Sequence, residues 1–148
     1  FYCKGDPTVE IKKVATPQEL EEAFSVRINV FVKEQGVPED CEIDQNENAA
    51  EHVILCDGSK VVGTGRVRYF GCLAKLERIC ILQEYRKLDA GRMIVEGLEK
   101  LARAKGMTKA KLHGQTQAEG FYHKQGYRTS SEVFMEDGIP HILLLKVL

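Results

Sequence analysis

Between Leu76 and Met93 the chain reads Leu-Glu-Arg-Ile-Cys-Ile-Leu-Gln-Glu-Tyr-Arg-Lys-Leu-Asp-Ala-Gly-Arg-Met, an apolar strand pattern running through a tight turn into a helix. Such a turn aims several free backbone N–H groups and the positive end of the helix dipole at one point, which suits a phosphate. Arg86, Lys87 and Arg92 add cationic side chains there. The same residues also fit a plain helix start that binds only water. The common phosphate loops do not occur: there is no Gly-x-x-x-x-Gly-Lys run, and Gly63-Thr64-Gly65 lies inside a strand pattern without a third glycine.

The turn needs elements around it to hold it. A strand is expected over 9–14, and Thr16-Pro17-Gln18-Glu19 then forms a capping box with proline at the first helical position. The following helix carries Leu20, Phe24, Ile28 and Phe31 as one apolar stripe and ends near Gly36-Val37-Pro38. Strands over 51–56, 60–70 and 74–82 make an antiparallel meander, the first two joined at Asp57-Gly58. A helix over 90–105 buries Ile94, Leu98, Leu101 and Ala102 and stops at Gly106. Its Glu96–Lys100 and Glu99–Arg103 pairs are expected on the wet face. A strand over 110–114, a short helix over 118–124, and strands over 132–135 and 141–145 complete the order β-α-β-β-β-α-β-α-β-β. No linker, repeat or low-complexity tract divides it, so residues 1–148 read as one domain.

Composition limits the function classes. With 148 residues, 43% of them hydrophobic and 29% charged, the chain is long enough for one full core. Its longest aliphatic run, 142–145, is far short of the roughly 20 residues of a membrane span, so no membrane association is expected. A net charge of −1 lacks the basic excess of duplex binders, which argues against nucleic acid. Five cysteines at irregular spacing give neither a disulfide framework nor a metal-ligand cluster, and the start, Phe1-Tyr2-Cys3-Lys4-Gly5-Asp6, lacks a signal-peptide pattern. A cytoplasmic protein without a metal is the expectation. Cys56 and Cys80 lie in apolar runs and read as small core residues. Residues 1–74 carry 8 basic and 13 acidic side chains and residues 75–148 carry 13 and 9, balances of −5 and +4. The acidic stretch from Glu34 to Glu51 contains no Lys or Arg. It reads either as a rim that attracts a cation or as a solvated face.

Four segments together resemble the GCN5-related N-acetyltransferases (GNAT), and within them the small bacterial ElaA-like subgroup. The residues from Glu84 to Gly91 lie on the family signature Q/R-x-x-G-x-G/A, with Arg86 and Gly91 matching and Asp89 standing in the position of the first glycine. Arg27 to Pro38 resembles R-x-x-V-F-V-x-E-Q-x-x-P, Ala118 to Tyr127 resembles A-x-x-F-Y-x-x-x-G-F/Y, and Glu136-Asp137-Gly138-Ile139-Pro140-His141 matches the subgroup again. The resemblance implies an α+β acyl-CoA N-acyltransferase fold, a mixed and mostly antiparallel sheet flanked by helices and splayed between its fourth and fifth strands. It implies acetyl-CoA as co-substrate, its pyrophosphate at Arg86, Lys87, Leu88, Asp89, Ala90, Gly91 and Arg92 and its pantetheine arm along the backbone of Ile79, Cys80 and Ile81. Asp89 is open to two readings: a carboxylate that repels phosphate, or a helix N-cap turned away from it.

The same resemblance makes Tyr122 the general acid and transfers the acetyl group directly to a primary amine of a small molecule or peptide. From the bare residues, Phe121 and Tyr122 also fit an aromatic core pair. Glu77, two residues before the pantetheine stretch, is the expected general base, with Glu34 and His141 as substrate-binding residues that could also fill that role. A non-catalytic acyl-CoA-binding or protein-interaction module that keeps the fold is the alternative. The strand end at 142–145 permits a homodimer and equally fits burial in a monomer.

Overall fold

The computed structural model describes residues 9–86 and 89–148. β1 (Val9–Lys13) leads into α1 (Pro17–Arg27) through the expected capping box, in which Thr16 Oγ1 accepts from the Glu19 amide at 3.2 Å and Glu19 Oε1 accepts from the Thr16 amide at 3.2 Å. The helix expected to run to about 36 is α-helical only to Arg27 and continues as a π-helical segment over Ile28–Glu34. The buried positions are therefore Ala23, Val26, Arg27 and Val30, while Leu20, Phe24, Ile28 and Phe31 are only partly covered.

After a one-turn helix, α2 (Glu39–Glu42), come the three strands of the meander, β2 (Glu51–Asp57), β3 (Lys60–Phe70) and β4 (Leu73–Ile81). Asp57 pairs with Lys60, so the first hairpin turns on Gly58 and Ser59, one position later than the Asp57-Gly58 signal implies. α3 (Ala90–Ala104), β5 (Lys109–Gln115) and α4 (Glu119–Lys124) follow, then β6 (Arg128–Thr129), β7 (Phe134–Glu136) and β8 (Ile139–Val147). The sheet order is β1-β2-β3-β4-β5-β8-β6, with β7 also on β8; only β4–β5 is parallel. β7 and β8 meet in a two-residue turn, Asp137 (φ +53) and Gly138 (φ +76), the left-handed pair that tight hairpins require.

Period-two alternation assigns the two helices to opposite faces. Val53, Leu55, Val62 and Val67 pack with Ile94, Val95 and Leu98 of α3, whereas Ile54 and Cys56 pack with Ala23 of α1. Each fully buried Ile or Leu contributes about 1.5–3 kcal/mol. The close fit explains one glycine: a Cβ at Gly65 would lie 2.8 Å from Ile94 Cγ2 and 2.9 Å from Leu98 Cδ1, so α3 seats on β3 only because the strand is bare there. Ile142 and Leu144 of β8 face the core, while Leu145 and Val147 are exposed. Among the described residues no helix is long and apolar enough to cross a membrane.

The charges sort differently from the sequence expectation. Arg27, 1% exposed, donates through Nη1 and Nη2 to Glu47 at 2.8 and 2.7 Å and through Nε to Glu42 at 3.1 Å. Arg66, also 1% exposed, holds Asp44 with both Nη atoms (2.9 and 3.0 Å), Glu77 through Nε (2.9 Å) and Glu47 through Nη1 (2.9 Å). Glu42, Asp44 and Glu47 of the acidic stretch are thus internal counter-charges that pin the segment after α1 to β3 and β4, whereas Glu39 and Asp40 stay exposed. Glu99 keeps its expected pair with Arg103 at 3.9 Å but leaves the wet face: it is buried, accepts from Tyr127 Oη at 2.7 Å and pairs with Lys146, while Glu96 pairs with Arg92.

This network predicts acid lability. Although burial opposes ionisation, hydrogen bonds and charge from Arg68, Arg66 and Lys75 hold Glu77 down at about 2, and Arg66 and Arg27 hold Asp44 and Glu47 below their usual values; burial raises Glu42 in the opposite sense. Groups depressed in the folded state stabilise it above their unfolded pKa, near 4.5 for Glu77, and lose that contribution as pH falls toward 2. Urea midpoints are expected to hold from pH 7 to 5 and to drop between about pH 4.5 and 2. A midpoint unchanged to pH 3 would contradict the assignment.

Candidate active site

Parallel pairing of β4 with β5 stops at Leu76 and Leu112. Beyond that point β4 stays with β3 as far as Ile81 and β5 stays with β8 as far as Gln115, so the sheet parts and leaves 77–81 of β4 without a strand on its β5 side. At the parting β4 carries one extra residue: Thr64 pairs with Cys80 but Arg66 with Glu77, and Arg78 sits in the bulge at φ +56. A left-handed arginine costs on the order of 1 kcal/mol or more and persists only where its surroundings hold it. Its guanidinium donates to the carbonyls of Glu42 and Cys41 and to Asp44 Oδ2, each at 3.3 Å. A bulge re-aims a strand, here where the sheet opens.

A cavity of about 620 Å³ occupies the parting and is lined from both faces of the sheet. Ile79 and Ile81 pack on the α3 face, while Cys80 packs on the other face with Val26 and Val30. Asp89 is the residue before the helix, with φ +63, a conformation that glycine adopts freely and Asp tolerates. Its carboxylate does not cap the helix; it pairs with Arg92, which also binds Glu96. Arg86 donates through Nε to the Ile81 carbonyl at 2.9 Å and grips Glu34 with both Nη atoms at 2.8 Å. A Cβ at Gly91 would lie 2.9 Å from the Phe121 ring, so glycine keeps the floor beside α4 open. Tyr122 of α4 lines the cavity, 8% exposed, its ring edge-on to Phe121 at 4.9 Å. Burial, with Cys80 adding, pushes its phenol well above the ordinary value, so the proton stays on.

The opposite wall is polar. Gln115 Nε2 donates to Gln35 Oε1 at 2.9 Å, joining β5 to the residue after the π-helical segment. His113 of β5, Glu136 of β7 and His141 of β8 converge there, with His113 Nδ1 2.8 Å from Glu136 Oε1 and His141 Nδ1 2.7 Å from the Ile139 carbonyl.

Comparison with known proteins decides what this arrangement belongs to. The family model of the GNAT acetyltransferase domain matches residues 11–148. The chain belongs to the GCN5-related N-acetyltransferase family. It is 50% identical over 141 residues to YyaT of Bacillus subtilis (strain 168), covering 93% of this chain and 95% of that one. It is 48% identical over 130 residues to the protein named "Uncharacterized N-acetyltransferase YjcF" from the same organism, covering 87% and 93%. Escherichia coli ElaA superposes with a TM-score of 0.83 over 93% of this chain and 99% of its own at 20% identity, a likeness of fold.

Within this GNAT domain the structure brings together Glu34, Glu77, Ile79, Cys80, Ile81, Arg86, Asp89, Gly91, Arg92, Tyr122 and His141 around one cavity. Lys87 and Leu88 lie outside the described residues, and Ala90 turns its side chain into the core. Three expectations change. Glu77 is a poor base, because Arg66, Arg68 and Lys75 hold its carboxylate ionised. Glu34 is clasped by Arg86 and not left free for an amine. Asp89 stands at the N-cap position without capping, since Arg92 takes its carboxylate. Arg78, His113, Gln115 and Glu136 belong to the site but escape the sequence reading.

Asp89 holds Arg92, a cation of the turn before α3. Replacing Asp89→Gly keeps the left-handed turn, releases Arg92 from one of its two carboxylates and removes a repelling charge, so acetyl-CoA affinity is expected to rise about 5-fold, roughly 1 kcal/mol. Titration calorimetry of both proteins checks this, and weaker binding by the glycine variant would contradict it.

Proposed function

We propose that this GNAT acetyltransferase moves the acetyl group of acetyl-CoA to a primary amine of a small molecule or peptide by direct attack while both substrates are bound. The observation that carries the reading is the unpaired β4 edge, bulged at Arg78, opening beside the start of α3 in the cavity that holds Tyr122. The residues fit the co-substrate: the backbone of Ile79, Cys80 and Ile81 offers hydrogen bonds to an extended arm, and Arg86, Arg92 and the amides of Ala90 and Gly91 offer cations and donors to a pyrophosphate. When bound, acetyl-CoA supplies an activated acetyl thioester and a thiol leaving group.

The protein's own groups do the rest. A backbone N–H of the bulged edge polarises the carbonyl, as preorganised donors do wherever charge develops. The Tyr122 hydroxyl donates its proton to the departing sulfur; at neutral pH it is fully protonated and has no hydrogen-bond partner among the described residues to compete for that proton. Thiol release from acetyl-CoA in the presence of a panel of alkyl, amino acid and peptide amines tests the reading, with amine-dependent release expected.

One observation favours a second reading. Both described cations of the turn already hold carboxylates, Arg86 with Glu34 and Arg92 with Asp89, which would suit a module that binds acyl-CoA or a protein without transfer. Acetyl-CoA binding without amine-dependent thiol release would favour it.

A further inference from the structure

We infer that His113, oriented by Glu136, is the group that takes the proton from the acceptor ammonium. The inference rests on the transferase reading above. An alkyl ammonium cannot attack a thioester until it loses a proton, so the acceptor side needs a base with a free lone pair and access to the cavity.

The carboxylates of that wall lack one or the other. Glu77 is locked by Arg66, Arg68 and Lys75; Glu42 is buried at 3% exposure between Arg27 and Arg78; Glu34 is clasped by Arg86. His141 has the same tautomer, with Nδ1 donating to the Ile139 carbonyl, but its Nε2 lies 3.8 Å from Glu136 Oε2 and its side chain, stacked on Phe134, is only 9% exposed, so it is the less accessible of the two histidines. His113 differs. Its Nδ1 lies 2.8 Å from a carboxylate that can only accept, so the hydrogen sits on Nδ1 and Nε2 keeps its lone pair. Nε2 has no hydrogen-bond partner among the described residues, and the side chain is 27% exposed. Phe134 packs edge-on against the ring at 5.1 Å, and Glu136 is set in place by the tight β7–β8 hairpin.

The position in β5 suits the chemistry. Alternation along the strand turns His113 away from the face on which Gly114 meets Tyr122, where a Cβ on Gly114 would lie 3.2 Å from the tyrosine ring. The base and the acid thus flank the parting from opposite faces, as an amine entering on one side and a thiol leaving on the other require. The ammonium passes one proton to His113 Nε2, which releases it to solvent. The freed lone pair forms the N–C bond as the C–S bond breaks; the new amide nitrogen sheds its second proton while the sulfur takes one from Tyr122, which is refilled from solvent. One proton leaves per acetyl group moved.

Two probe amines separate this role from a structural one: ethylamine, an ammonium at neutral pH, and hydroxylamine, largely neutral there. With wild-type protein at saturating acetyl-CoA, both are expected to be acetylated. His113→Gln is expected to lower turnover of ethylamine about 100-fold and to cost far less with hydroxylamine, without changing acetyl-CoA affinity. Glu136→Gln, which leaves β5 intact, is expected to show the same contrast at smaller size. Equal losses with both amines, or none with ethylamine, would overturn the role of His113 and leave the transferase standing. Wild-type protein that binds acetyl-CoA but acetylates neither amine would overturn both.

Discussion

Tyr122→Phe is expected to lower kcat by about 100-fold while leaving acetyl-CoA affinity and folding stability unchanged. The substitution removes one oxygen that no described group hydrogen-bonds, so no buried partner is stranded and the ring keeps its edge contacts with Phe121 and Tyr127. What is lost is the donor to the departing sulfur, an interaction made only as the C–S bond breaks. Steady-state kinetics beside titration calorimetry read the two effects separately. Full activity in the variant would remove Tyr122 from the mechanism; loss of acetyl-CoA binding would make it a packing residue.

The largest effect on stability is expected from Arg66→Ala. This guanidinium, 1% exposed, contacts Asp44, Glu47 and Glu77, and its loss leaves three carboxylates short of their counter-charge in the interior. Breaking a buried pair from one side costs about 3–5 kcal/mol, which lowers the melting temperature of a domain of this size by roughly 10–15 °C. The effect should reach the site as well, because the same network holds the segment on which the Arg78 bulge rests. A fall of less than about 2 °C would show that solvent or rearrangement replaces the arginine.

The strands were legible from 51 to 82 because alternation and turn residues agree there, and the long helix from Ile94 and Leu98 because its apolar period is clean. The turn after β4 could be located from Arg86 and Gly91, and the left-handed φ of Asp89 explains how a non-glycine fits the signature. Other features depend on pairing that no local pattern carries. Glu42 and Glu47 lie in the stretch that reads as a rim or a solvated face, and only the folded sheet shows them buried against Arg27 and Arg66. Nothing in the sequence announces a bulge at Arg78, since the usual marker is glycine and the holding contacts come from residues 41–44. His113 left one faint signal, the alternation of Lys109, Lys111, His113 and Gln115 with Ala110, Leu112 and Gly114, which sets it opposite the core. That it meets Glu136 depends on both strands pairing with β8.

Binding of acyl-CoA in the parting of β4 and β5 is read from the melting temperature with and without saturating acetyl-CoA, with free CoA and ATP as controls. At 100 times its dissociation constant a ligand stabilises the native state by about 2.7 kcal/mol, a rise of several degrees here. The rise is expected with acetyl-CoA and with CoA and not with ATP; no rise, or the same rise with ATP, would show that the parting is not an acyl-CoA site.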